Sequence, residues 1–215
     1  MTTKFSRPLL AIALIASAAA TLSACVPLVV GGAAMSAMVA VDRRTSGAQL
    51  EDEGIELRGA SRLREAFGDR AHINITSYNR QVLLTGEVPT DAAKQQAEQV
   101  ISRVENVRTI VNELGVQGNT TLVQRSGDVL ITGKVKASLV DAKDLYAGAF
   151  KVVTERGTVF LMGRVTPLEA DRASGIARRV DGVQRVVRIF DLIGEDEMRR
   201  IQTQLAPTAP ASPRP

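Results

Sequence analysis

Aromatic residues supply only 3% of the 215-residue chain, and tryptophan is absent. A core without large rings must be assembled from Val, Ile, Leu and Ala, which favours thin sheets covered by helices over a roomy ligand cavity. Nucleic-acid binding is excluded on the same ground, because no aromatic cluster is available to stack bases. Histidine and cysteine each occur once, as His72 and Cys25. One residue of each kind cannot assemble a zinc site or a Cys-His pair from the usual ligands. His72 falls on the polar side of an alternating strand. No G-x-S-x-G, P-loop or G-x-G-x-x-G pattern occurs. Acidic residues are plentiful, yet none interrupts an apolar pattern, so they are expected to be solvated at the surface. No catalytic residue, metal, cofactor or small-molecule substrate is therefore expected. The class that remains is a binding or organising module.

What is present begins with an export signal over residues 1–24. Lys4 and Arg7 form a basic start, and Leu9 to Ala20 an apolar stretch followed by small residues. The junction Leu22-Ser23-Ala24-Cys25 fits the bacterial lipobox, whose Cys is diacylated before cleavage. A lone cysteine in an exported protein otherwise needs an intermolecular partner, so Cys25 is the expected lipidation site. The alternatives are an ordinary signal peptide that contains a Cys, or an uncleaved helix, because no charge occurs from Pro8 to Val41. Acyl chains contribute about 0.8 kcal/mol per buried CH₂, and several together anchor stably. Residue 26 is Val rather than the Asp that retains lipoproteins in the inner membrane. In a Gram-negative cell, this places the protein in the outer membrane, facing the periplasm. Residues 25–50 form an apolar leader and linker.

An internal repeat dominates the rest. Val82, Leu84, Gly86 and Val88 recur 77 positions later as Val159, Leu161, Gly163 and Val165. After one residue is dropped, Ala97, Val100, Val104, Val107, Ile110 and Val111 match Ala173, Ile176, Val180, Val183, Val186 and Val187. A match this long is a duplication. In each copy an alternating strand leads through a turn, Ser77 to Arg80 or Glu155 to Gly157, into a second strand. That strand carries a Gly, which marks a bulge or close packing. A helix with an apolar stripe follows, opened by Thr90-Asp91 or by the capping box Thr166-Pro167-Leu168-Glu169. A closing strand, Val107 to Leu114 or Val183 to Phe190, must run parallel to one of the first two. A further helix precedes each hairpin, expected over Ile55 to Phe67 and over Asp128 to Leu139 with Ser126 as N-cap.

The fold class is thus α+β, as two tandem α-β-β-α-β units, each a three-stranded mixed sheet covered by two helices. The units span residues 51–116 and 126–193, joined by a linker over 117–125. Units of this size are marginal alone, so the two are expected to pack together. Residues 194–215 form an extension whose end, from Gln202, holds four of the eight prolines and is expected to be disordered.

A G-x-V sequence closing the hairpin and D-G-V-x-x-V entering the last strand resemble the BON domain. The second copy carries both, as Gly163-Arg164-Val165 and Asp181-Gly182-Val183-Gln184-Arg185-Val186. The first keeps Gly86-Glu87-Val88 but has Asn106 in place of the turn Gly, and Asn also tolerates positive φ. With the lipobox, the chain resembles dual-BON outer-membrane lipoproteins. The resemblance implies a non-enzymatic role in envelope integrity and cell division, and binding to anionic phospholipid.

Charge divides unevenly between the copies. Residues 51–116 carry 8 basic and 11 acidic side chains, net −3, whereas 126–193 carry 11 and 8, net +3. A basic unit beside a membrane gains about 1 kcal/mol per well-placed Lys or Arg from anionic headgroups. The expected lipid-contacting surface is the helix that opens the second unit. There Leu130, Ile131, Val135 and Leu139 are apolar, with Lys134 and Lys136 beside them. Leu130 lies off the main apolar stripe and is the outward-facing candidate. Alternatively, Ile131, Val135 and Leu139 only cover the sheet. The rival function is a scaffold for envelope assembly or division proteins, with the lipid anchor setting location alone.

Overall fold

Thr45 opens the first helix by accepting a hydrogen bond on its side chain from Ala48 N. This helix, α1, runs Ser46–Phe67 and stops at Gly68, where φ is +53°. Residues 42–205, Asn119 excepted, are described in a computed structural model. The export signal, Cys25, the leader through residue 41 and residues 206–215 lie outside the described residues. The helix starts nine residues before the expected Ile55, so its first turns occupy what the sequence presents as linker.

The strands β1 (His72–Tyr78) and β2 (Gln81–Val88) pair antiparallel across a two-residue turn. Asn79 and Arg80 both take positive φ, 50° and 65°, as a hairpin of this length requires. Helix α2 (Asp91–Ser102), capped by Thr90, leads to Asn106 at φ 66° and then to a closing strand parallel to β2. That strand is broken into β3 (Thr109–Asn112) and β4 (Gly115–Val116). The Asn112 side chain accepts from Leu114 N at 3.3 Å and donates to Lys94 O at 2.9 Å. This local turn directs Leu114 into the core and interrupts the ladder.

The second copy repeats the layout. Helix α3 (Leu122–Asp141) precedes β5 (Phe150–Glu155) and β6 (Thr158–Val165), joined through Arg156 and Gly157, again at positive φ. Helix α4 (Pro167–Ala177) has the expected Thr166–Glu169 capping box. Strand β7 (Arg185–Leu192) pairs in parallel with β6 over its full length. A final helix, α5 (Glu195–Leu205), buries Met198 and Ile201 with Ile193. It replaces part of the tail that the sequence leaves without structure.

The two α-plus-sheet cores are separate, but their sheets share a third cluster. Val82 and Leu84 face the first core, and Val159 and Leu161 the second. The alternate residues Leu83, Phe160 and Met162 meet Tyr78 and Ile189 between the sheets. Central strands buried on both faces read as unbroken apolar runs. Polar ties cross the same interface: Lys151 Nζ lies 2.7 Å from Glu56, Asn79 Nδ2 2.7 Å from Asp191, and Arg156 Nη1 2.8 Å from Glu87. The described residues therefore form one compact unit.

Candidate functional site

Helix α3 owes its length to Thr121, which accepts from Gln124 N while Gln124 Oε1 accepts from Thr121 N. This capping box sets the start of the helix before the expected Asp128 and removes Ser126 from the cap. Ser126 instead donates its hydroxyl to Leu122 O. The inner face of α3 carries Asp128, Val135 and Leu139, with Ile131 half-buried against Gly182. Val135 and Leu139 belong to the core and cannot touch lipid, which corrects the expectation for both. The sheet-covering alternative holds for these two residues and, in part, for Ile131.

The outer face carries the unusual feature. Leu122, Val123, Val129 and Leu130 are each between 68% and 82% exposed, and Val140 is 47% exposed. Residues seven apart drift only about 20° around a helix, so 123, 130 and 137 align, as do 122 with 129 and 126 with 133 and 140. Ser126, Gly133 and Ala137 fill the gaps, leaving an uncharged, mostly aliphatic strip toward solvent. Lys134 and Lys136 are exposed at its flanks. Lys134 Nζ lies 3.3 Å from Asp181, whose side chain is almost entirely in solvent, so water screens this pair. The expected helix begins too late to include Leu122 and Val123 and ends one residue before Val140, while Val129 lies within it but off the apolar stripe. The signal that finds the first two is T-x-x-Q at Thr121–Gln124.

Beside this strip, a cleft of about 360 Å³ opens between the domains, lined by His72, Asn74, Arg125, Val129, Thr132 and Glu155 among others. The carboxylates around it are not surface groups, contrary to the sequence expectation. Glu87 is fully buried; it accepts from Arg156 Nη1 at 2.8 Å and from the Thr120 backbone and hydroxyl at 3.2 Å. His72 Nδ1 stands 3.2 Å away, so this histidine is a partner of Glu87 rather than a solvated strand residue. Burial opposes the Glu87 anion, but Thr120, Arg156 and His72 together hold its pKa below 4.5. Glu155 goes the other way: burial, then the negative charges of Glu87 and Asp128, push it above 4.5. Among the described residues, no group of three or more His, Cys, Asp or Glu side chains is placed to hold a metal, and no helix is long and apolar enough to cross a membrane.

Asp52 and Asp128 hold the two hairpins. Asp52 accepts from Asn79 N, Arg80 N and Ser77 Oγ, and Asp128 from Arg156 N and Gly157 N, all at 2.6–2.8 Å. Asp52 also pairs with Arg44 at 2.7 Å, while Arg43 makes two bonds to Glu169, at 2.8 and 2.6 Å. These contacts fasten the segment after the leader onto both domains.

Comparison with known proteins agrees with this architecture. The BON domain family matches residues 55–118 and 127–192. Outer membrane lipoprotein DolP of Haemophilus influenzae is 36% identical over 185 residues, covering 85% of this chain and 96% of that protein. The 21 kDa hemolysin of Actinobacillus pleuropneumoniae is 36% identical over 155 residues, 71% of this chain and 80% of its own. Osmotically-inducible protein Y of Escherichia coli is 32% identical over 117 residues, 53% of this chain and 58% of its own. Two matched segments coinciding with the two structural repeats, and a relative aligned along nearly its whole length, identify the chain as a member of the BON-domain family that carries the domain twice.

Proposed function

We propose that the protein is a non-enzymatic lipoprotein of the outer membrane that docks on anionic phospholipid through the outer face of α3. Acylated Cys25 holds it in the membrane, and the docked body supports envelope integrity and cell division. The observation that carries this reading is the aliphatic strip of Leu122, Val123, Val129, Leu130 and Val140, exposed on a helix whose opposite face already fills the core. Side chains of this kind enter the acyl boundary while Lys134 and Lys136 meet phosphates at its edge. The net +3 of the second unit adds attraction that salt weakens. Location follows the lipobox and the similarity to an outer membrane lipoprotein. Sixteen residues separate Cys25 from Asp42, so the tether reaches at most about 60 Å and keeps the body at high effective concentration near the bilayer.

Vesicle titration tests the reading. Residues 38–215 should bind phosphatidylglycerol vesicles, and affinity should fall as salt rises. Leu130→Glu should weaken binding by about tenfold or more, the loss of one buried Leu, with an unchanged melting temperature because the residue faces solvent. Equal, salt-insensitive binding to zwitterionic and anionic vesicles, or an unaffected Leu130→Glu, would refute it and leave the protein-scaffold role.

A further inference from the structure

The cleft between the domains shares Val129 with the apolar strip of α3, so it opens where a docked bilayer would begin. Its volume, about 360 Å³, lies in the range of small-ligand sites. Glu155 lines it with only 6% of its surface exposed. Among the described residues its one hydrogen-bond donor is Asn74 Nδ2 at 3.4 Å, and no Lys or Arg forms an ion pair with it, the adjacent Arg156 pairing with Glu87 and Gly86 O instead. A buried carboxylate beside two other acids, with no Lys or Arg against it and only His72, already partnered with Glu87, nearby, is costly. The raised pKa of Glu155, caused first by burial, is in keeping with this. Arg125 supplies the opposite character. It gives Nε and Nη2 to Thr120 at 3.2 Å, makes no ion pair among the described residues, and retains donors to spare. The hydroxyls of Thr132 and Thr154, 2.7 Å apart, complete a polar lining.

We propose that this cleft seats the headgroup of an ethanolamine phospholipid, its primary ammonium against Glu155, its phosphate against Arg125 and its acyl chains leaving past Val129. The ammonium supplies the missing cation and donates hydrogen bonds to Glu155. A choline headgroup is methylated and has none to give. The inference rests on the membrane-docking reading of α3 and adds headgroup selection to it. Anionic lipid attracts the basic domain; the cleft then chooses among neighbouring headgroups.

The test uses residues 38–215, whose described part forms one compact unit, on vesicles of fixed phosphatidylglycerol content. The remaining lipid is either phosphatidylethanolamine or phosphatidylcholine. The ethanolamine vesicles should bind about tenfold more tightly, the equivalent of one charge-assisted hydrogen bond. Glu155→Gln should erase that preference while leaving binding to the choline vesicles unchanged. The variant relieves like-charge repulsion, so its melting temperature at neutral pH should be no lower than that of the parent. Titration with soluble O-phosphoethanolamine should shift the amide resonances of Asn74, Thr132 and Thr154, and glycerol phosphate should shift them less. Equal affinity for both vesicles, a preference that survives Glu155→Gln, or equal shifts from the two soluble compounds would overturn the cleft assignment. Absence of binding to every phosphatidylglycerol vesicle would instead overturn the docking of α3, and the soluble titration would then decide the cleft alone.

Discussion

Gly86→Ala is expected to unfold the first domain. At φ +108° a side chain is strained in any case, and a Cβ there would lie 2.0 Å from the carbonyl oxygen of His72 on the neighbouring strand. Backbone cannot yield by that much without parting β1 from β2, so the cost should reach about 4 kcal/mol or more. Urea denaturation measures it. The same substitution on α3 has the opposite sign: nothing described lies within 4 Å of a Cβ at Gly133. Alanine there should stabilise by about 1 kcal/mol and raise the melting temperature by roughly 2–4 °C. Two Gly→Ala changes of opposite sign separate a glycine required by close approach from one that merely weakens a helix. A Gly86→Ala protein as stable as the parent would contradict the hairpin register.

Asp52→Ala should cost about 3–5 kcal/mol, because it leaves two backbone N–H groups, a buried hydroxyl and Arg44 Nη1 without their acceptor, although Arg44 keeps Asp42. Burial raises the pKa of Asp52, but Ser77, the Arg80 amide, Arg44 and the Asn79 amide outweigh it and hold it below 3.8. A depressed carboxylate gives stability that is present above its unfolded pKa and lost as pH falls through the folded one. Glu87 and Glu169 shift the same way. Stability of the parent should therefore drop below about pH 4, and Asp52→Ala should show a shallower acid slope. Glu155, whose pKa is raised, acts oppositely: its stabilising share is present at acid pH and fades as pH rises through the folded value. Denaturation midpoints between pH 3 and 7 for the parent and variant check both signs. Identical acid slopes would show that Asp52 does not anchor the turn.

Much of this was readable in the sequence because the repeat doubles every local signal. Both hairpins, the Thr166–Glu169 cap and the positive φ of Asn106 follow from residue type and spacing. An apolar period starts both long helices too late, because their opening turns after Thr45 and Thr121 place no residue of the buried stripe before Asp52 and Asp128. The last helix escaped because it offers few apolar residues, Met198 and Ile201, among charged ones. Break of the closing strand at Asn112 depends on a side chain reaching Lys94 O, eighteen positions back. The buried carboxylates were missed for a related reason: Asp52 and Asp128 sit in polar surroundings along the chain, and the turns they hold lie 27 to 29 positions away. At the candidate site the structure leaves Leu130 and the lysines exposed, whereas Val135 and Leu139 lie on the one apolar stripe that period alone lets either cover the sheet or meet lipid.

Relaxation enhancement from spin-labelled lipid in phosphatidylglycerol bicelles reads the docking face directly, residue by residue. Broadening should concentrate at Leu122, Val123, Val129, Leu130 and Val140, spare Val135 and Leu139, and leave the acidic first domain unaffected except at the cleft. Broadening centred on the first domain, or none on α3, would contradict membrane docking through this helix.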